Sequence, residues 1–111
     1  MSIYITNKTR KGVPKVRFEE IKDHILGKKY DLSLVLCGNK LSQKLNHTYH
    51  SKNKPTNILS FPLSKNSGEI FINLSKTKKF SAAELFIHGC LHLKGMQHGR
   101  KMDKSEKKIL H

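Results

Sequence analysis

The sequence predicts an α/β fold, a small mixed sheet of about four strands covered by helices, in the order β-α-β-α-β-β-α-α. Three observations predict it. The apolar pattern switches along the chain between a period of two and a period near 3.6. Pro14, Gly27 and the Gly38–Asn39 pair stand at boundaries between the periodic segments. Across 111 residues, 36% are hydrophobic and 27% charged, which allows one domain with a modest core under charged helices.

Residues 2–7 alternate Ile3 and Ile5 with polar neighbours and read as a first strand. Residues 9–14 form a basic connection ending in Pro14, which suits the first turn of a helix. Val16, Phe18, Ile21, Ile25 and Leu26 recur at helical spacing, and Gly27 is a good stop. Residues 30–37 are nearly continuous in apolar content, as a central strand is. Gly38 and Asn39 make a turn. Leu41, Leu45 and Tyr49, four apart, predict a second helix over 40–50 with those three as its core stripe. Asn46 reads as a polar residue on that helix's face. Residues 51–55 form a polar loop. Residues 57–62 and 68–73 read as short strands joined by a connection over 63–67. A basic linker, 76–80, leads into a helix beginning at Ser81, and Asp103 with Glu106 marks a short closing helix before Ile109 and Leu110.

Composition restricts function. No apolar run is long enough to cross a bilayer, and no signal-peptide pattern is present, so a cytoplasmic protein is expected. Cys37 and Cys90 sit in apolar contexts and read as buried, reduced thiols rather than a disulfide framework. The net charge of +14, from 22 Lys+Arg against 8 Asp+Glu, is dispersed over the chain. A dispersed basic surface suits a phosphate backbone, which it binds by releasing counterions. Compositional bias is the plainer reading of the same charge. No helix splits cleanly into basic and apolar faces, so a membrane surface fits less well.

The richest stretch is SAAELFIHGCLHLKGMQHG, residues 81–99. Ser81 and Glu84 form an S-x-x-E capping box. Gly95 is placed to end the helix in a left-handed conformation. His88 and His92 share one face, a turn apart. If the chain bends back after Gly95, His98 reaches the same point. Three protein ligands with one position left for water is the arrangement of catalytic zinc. Surface histidines, or histidines bonded to core carbonyls, would show the same spacing. An otherwise apolar helix favours the metal, because uncompensated buried imidazoles are costly. Gly89 stands where H-E-x-x-H metalloproteases carry their glutamate, which argues against a peptidase; it suits close packing of the helix on the sheet.

These residues carry a family resemblance. HGCLHLKGMQHG resembles the H-G-x-L-H-L-x-G-x-D-H signature of the YbeY family, bacterial endoribonucleases of ribosomal RNA maturation. LNHTYHSKNKPTNILSFP is similar to that family's L-N-x-x-Y-R…T-[ND]-V-L-S-F-P segment. Gly68, Glu69 and Ile70 resemble its G-D-I strand, and Met102, Glu106 and Ile109 its closing M-x3-E-x2-I spacing. The resemblance runs from about residue 45 to 110. It implies a single metal-dependent ribonuclease domain over 1–111, with one Zn(2+) per chain held by His88, His92 and His98. It implies cytoplasmic action on RNA, single-stranded ribosomal RNA above all, in 16S rRNA maturation and ribosome quality control. The ribosome or its proteins are the implied partners, with no membrane and no DNA.

The departures are specific. The family arginine after the tyrosine is His50 here, and the aspartate before the last histidine is Gln97. The segments from the Gly68 strand to the histidine helix, and from His98 to Met102, are shorter. His50 or Arg100 is therefore expected to meet the substrate phosphate or transfer a proton, with a solvated loop histidine the plainer reading of His50. Ser60 reads first as a structural strand serine beside the cleft, and Tyr49 could stack on a base if it is not core. His24, His47 and His111 read as exposed. The nucleophile is either a metal-activated water or the RNA's own 2′-hydroxyl. The alternative function is a basic RNA- or ribosome-binding factor whose metal is structural or vestigial.

Overall fold

The computed structural model describes residues 3–97. A first strand, β1 (Ile3–Asn7), leads into helix α1 (Phe18–Leu26), strand β2 (Asp31–Cys37) and helix α2 (Asn39–His50). A hairpin of β3 (Ile58–Ser64) and β4 (Ser67–Asn73) follows, then a short 3-10 turn (Leu74–Lys76) and helix α3 (Ala82–Gln97). The sheet order is β1-β2-β4-β3. β1, β2 and β4 run parallel, and β3 lies antiparallel at one edge. The expected mixed α/β sheet is what the chain forms, with β2 in its interior.

Alternation along the strands sends two sets of side chains to opposite faces. Leu32, Leu34, Leu36, Ile58, Ile70 and Ile72 are buried in one core with Leu85, Phe86, Cys90 and Leu93 of α3 and Phe18 of α1. Phe18 meets Phe86 edge to face, centroids 4.9 Å apart. Phe61 and Phe71 point the other way, and α2 covers them through Tyr49. Thus α1 and α3 share one face and α2 takes part of the other. At Gly68 a Cβ would lie 2.5 Å from the Tyr30 hydroxyl and 3.0 Å from Leu93, so only glycine lets both seat on β4.

The sequence reading needs four corrections, and one buried residue was not foreseen. Helix α1 begins at Phe18, not Pro14. The Val16 N–H donates to Pro14 O and the Phe18 N–H to Val16 O, both at 2.9 Å, and these tight turns pre-empt the helical ladder. Gly95 does not end α3, which continues to Gln97. A glycine inside a helix costs about 1 kcal/mol, a cost that burial of the α3 face offsets. The β3–β4 connection is shorter than 63–67, because Leu63 and Ser64 extend β3 and Ser64 pairs with Ser67. The supposed core stripe of α2 is displaced. Its buried residues are Ser42 and Asn46, whereas Leu41 and Leu45 are half-buried and Tyr49 is 62% exposed. Lys22, finally, is wholly buried on the Phe18–Leu26 stripe. Its ammonium bonds to Gly27 O and Tyr30 O and pairs with Asp23 at 2.7 Å, so it fastens the turn after α1. The expected closing helix lies outside the described residues.

Candidate RNA-binding cleft

The basic, histidine-bearing part of the chain converges on a cleft of about 770 Å³ along the free edge of β3. Its walls come from Asn46 and His50 of α2, the following loop, Ile58–Ser60 of β3, the segment from Ser75 to Phe80, and His92 of α3. Lys52, Lys54, Lys76, Lys78 and Lys79 line it. Such a wall suits a polyanion.

The α3 wall is built as its sequence implies. The Ser81 N–H donates to Glu84 Oε1 at 3.1 Å and the Glu84 N–H to Ser81 Oγ at 3.2 Å, which completes the capping box. From that start, Leu85, Phe86, Gly89, Cys90 and Leu93 turn into the core, while His88 and His92 stay half-buried on another face. Gly89 brings α3 close to the sheet: a Cβ there would lie 2.9 Å from Ile70 Cδ1, 3.0 Å from Ile58 Cδ1 and 3.1 Å from Ser60 Oγ. Its expected packing role is therefore what the structure shows. Cys90 faces the core, away from the histidines, and burial pushes its thiol up to about 12.

His88 and His92 are separated by about 6 Å of helix rise. The His88 ring packs edge to face on Phe80, centroids 5.9 Å apart, at the cleft wall. Its Nδ1 is buried and has no hydrogen-bond partner among the described residues. Burial lowers the His88 pKa, with the Glu84 carboxylate opposing in part, and so favours the neutral imidazole that ligates a metal. An imidazole pair with an orphaned nitrogen fits zinc, whose usual donors include histidine. Among the described residues, no three His, Cys, Asp or Glu side chains group closely enough to hold an ion. The remaining candidate ligand, His98, lies outside those residues, as does Arg100.

The opposite wall is held by polar side chains, of which the sequence reading singled out only Asn46, as a polar residue on a helix face. Ser51 ends α2 in a left-handed conformation, φ 58°. The Lys52 N–H reaches back to Asn46 O, and the buried Asn46 amide donates to Lys54 O at 2.9 Å. Ser42 Oγ donates to Thr56 O at 2.6 Å and accepts from the Thr56 N–H at 2.8 Å. Asn73 donates to Thr56 O and Asn39 Oδ1, and accepts from the Ser75 N–H to cap the 3-10 turn. This network fixes the loop that carries Lys52 and Lys54. A serine and an asparagine four apart on a helix with a weak apolar stripe were the available signal.

His50 is the last residue of α2, exposed, and lines the same cleft as His92. The structure therefore joins two separate motifs at one place. Ser60 lines the cleft as well, and its buried hydroxyl has no hydrogen-bond partner among the described residues. His24 and His47 are exposed, as expected; His111 lies outside the described residues.

Comparison with known proteins bears on the fold and the family. The solution structure of TM1509 from Thermotoga maritima shares the fold, with a TM-score of 0.55 at 21% identity, over 97% of this chain and 86% of that one. An endoribonuclease YbeY of Ehrlichia chaffeensis is 35% identical over 115 residues, covering 89% of this chain and 75% of that protein. One from Ehrlichia canis is 42% identical over 65% of this chain and 56% of its own length. One from Pelagibacter ubique is 37% identical over 79% of this chain and 69% of its own. The family model described as Endoribonuclease YbeY matches residues 3–111, and the chain belongs to that family.

Proposed function

We propose that residues 1–111 form one metal-dependent ribonuclease domain that cuts single-stranded RNA in 16S rRNA maturation and ribosome quality control, acting in the cytoplasm with the ribosome as partner. The observation that carries this reading is the meeting of His92 and His50 in one lysine-lined cleft, in a chain whose relatives are named endoribonucleases.

His88, His92 and His98 would hold one zinc ion. Zinc, when bound, supplies Lewis acidity to a phosphate oxygen and a water of lowered pKa. The chain's own residues do the rest. Lys52, Lys54, Lys76, Lys78 and Lys79 hold the RNA backbone in the cleft and offset charge that grows at the scissile phosphate. His50, where the family motif has arginine, contacts the phosphate or passes a proton to the leaving oxygen. Arg100 is the second candidate for the phosphate contact.

The substitution at His50 favours one other reading, a basic RNA-binding factor with a vestigial metal site. One experiment separates the two. Metal per chain is counted in the purified protein, and cleavage of a single-stranded ribosomal RNA fragment is followed for wild type and His92→Ala. The enzyme reading expects one zinc per chain and at least about a hundredfold loss of cleavage in His92→Ala, since a Lewis acid is worth several kcal/mol. Equal cleavage by both proteins overturns it. Tight, salt-sensitive RNA binding without cleavage establishes the binding factor.

A further inference from the structure

Next to His50 of the cleft lie three aromatic rings, Tyr49, Phe61 and Phe71, that the reaction does not use. Tyr49 is 62% exposed at the end of α2, although the protein has few aromatic residues to leave in water. Its ring rests against Phe61, centroids 4.9 Å apart, and Phe61 is braced edge to face by Phe71 at 5.8 Å. The His50 ring lies within 17° of parallel to Phe61, centroids 6.3 Å apart, and His50 also lines the cleft. The rings and the lysine-lined wall are therefore one continuous surface.

We infer that Tyr49, backed by Phe61, is a stacking platform for an unpaired base of the RNA strand where it leaves the cleft. This rests on the reading above for the class of ligand, not for the chemistry. Four features argue for it. A ring supported from one side and open on the other presents a π-face already held in place, so little side-chain freedom is lost on binding. Single-strand binding sites pair such faces with a basic track, and here Lys52 and Lys54 lie in the adjoining wall. Tyr49 sits on a helix end that the Ser51 cap and the Asn46 amide hold rigid. Glu69, across the hairpin from Phe61, is engaged by Ser33 Oγ at 2.9 Å, which directs that carboxylate to the sheet. The occupant is thus a strand with both bases and phosphates, rather than a polyanion alone.

The test uses binding, so it does not depend on cleavage. The full chain is titrated with a single-stranded 2′-O-methyl uridine oligonucleotide, which resists cleavage, and separately with inorganic polyphosphate. Tyr49→Ala, Tyr49→Phe and Tyr4→Ala are compared with wild type. Tyr4 is 65% exposed on the far edge strand and serves as the control. Stacking expects Tyr49→Ala to lose roughly fivefold or more in oligonucleotide affinity, with polyphosphate affinity and the salt slope unchanged. Tyr49→Phe should bind as wild type does, and so should Tyr4→Ala. Equal losses for both ligands, no loss for either, an equal loss in Tyr4→Ala, or failure of wild type to bind the oligonucleotide each overturns the inference. If the oligonucleotide effect appears while ribosomal RNA is not cleaved, the platform stands and the nuclease reading falls.

Discussion

The two sides of the sheet are held by different forces. On one, α1 and α3 bury Leu, Ile and Phe side chains in a continuous apolar core. On the other, α2 turns Ser42 and Asn46 inward and grips its own connecting loop by hydrogen bonds. The apolar side gives stability in proportion to area, without demanding one geometry. The polar side adds less net energy but penalises every misplaced partner, because an unpaired buried donor or acceptor keeps its desolvation cost. The cleft needs both, since α3 brings His92 to one wall and the α2 network sets the loop of the other.

The largest effect that would test this contrast is on the apolar side. Phe86→Ala removes a fully buried ring packed on Phe18, and should destabilise the protein by about 3–5 kcal/mol in a urea titration. Its damage should be global. Asn46→Ala should cost less, about 1–3 kcal/mol, yet act locally. Tryptic cleavage after Lys52, which Asn53 follows, should accelerate beyond what the change in global stability explains, whereas in Phe86→Ala cleavage should follow global unfolding. The same pattern in both variants would erase the distinction.

The smallest effect concerns how dry the two sides are. Burial pushes the Cys37 thiol from 9.0 up to about 11, and the Tyr30 hydroxyl, buried and beside Cys90, from 10.0 up to about 12. Tyr30 belongs to the core on the α3 side, and Cys37 projects from β2 on the other. Both are acids held protonated in the folded chain, so unfolding releases their protons first. Stability is then complete below about pH 9 and declines as pH rises towards about 12. Urea midpoints at about pH 8 and about pH 10 should differ accordingly, with a shallower decline in Cys37→Ala. An unchanged decline in that variant would mean water reaches the thiol.

The apolar half of this comparison was legible beforehand. Leu32, Leu34 and Leu36 announce an interior strand, and Leu85, Phe86, Cys90 and Leu93 a helix with a buried face, because burial of apolar area leaves a period in the sequence. The Ser81–Glu84 box was legible for a similar reason: its bonds join residues three apart. Asn46, Ser42 and Lys22 were not. Their partners are backbone carbonyls five to fourteen residues away, and no side-chain pattern marks a carbonyl. Tyr49 was misplaced because helical spacing shows which residues share a face, not which neighbour covers it.

By itself, then, the sequence determined the order of strands and helices, the capped histidine helix with His88 and His92 a turn apart, and the basic character of the surface. These follow from interactions between near neighbours and from composition. Only the tertiary structure decided that His50 and His92 share a cleft, that α2 buries amides and hydroxyls, and that Tyr49 stands in the open beside the lysines. Those outcomes depend on the sheet order β1-β2-β4-β3 and the antiparallel edge strand, which bring residues far apart in the chain to one surface.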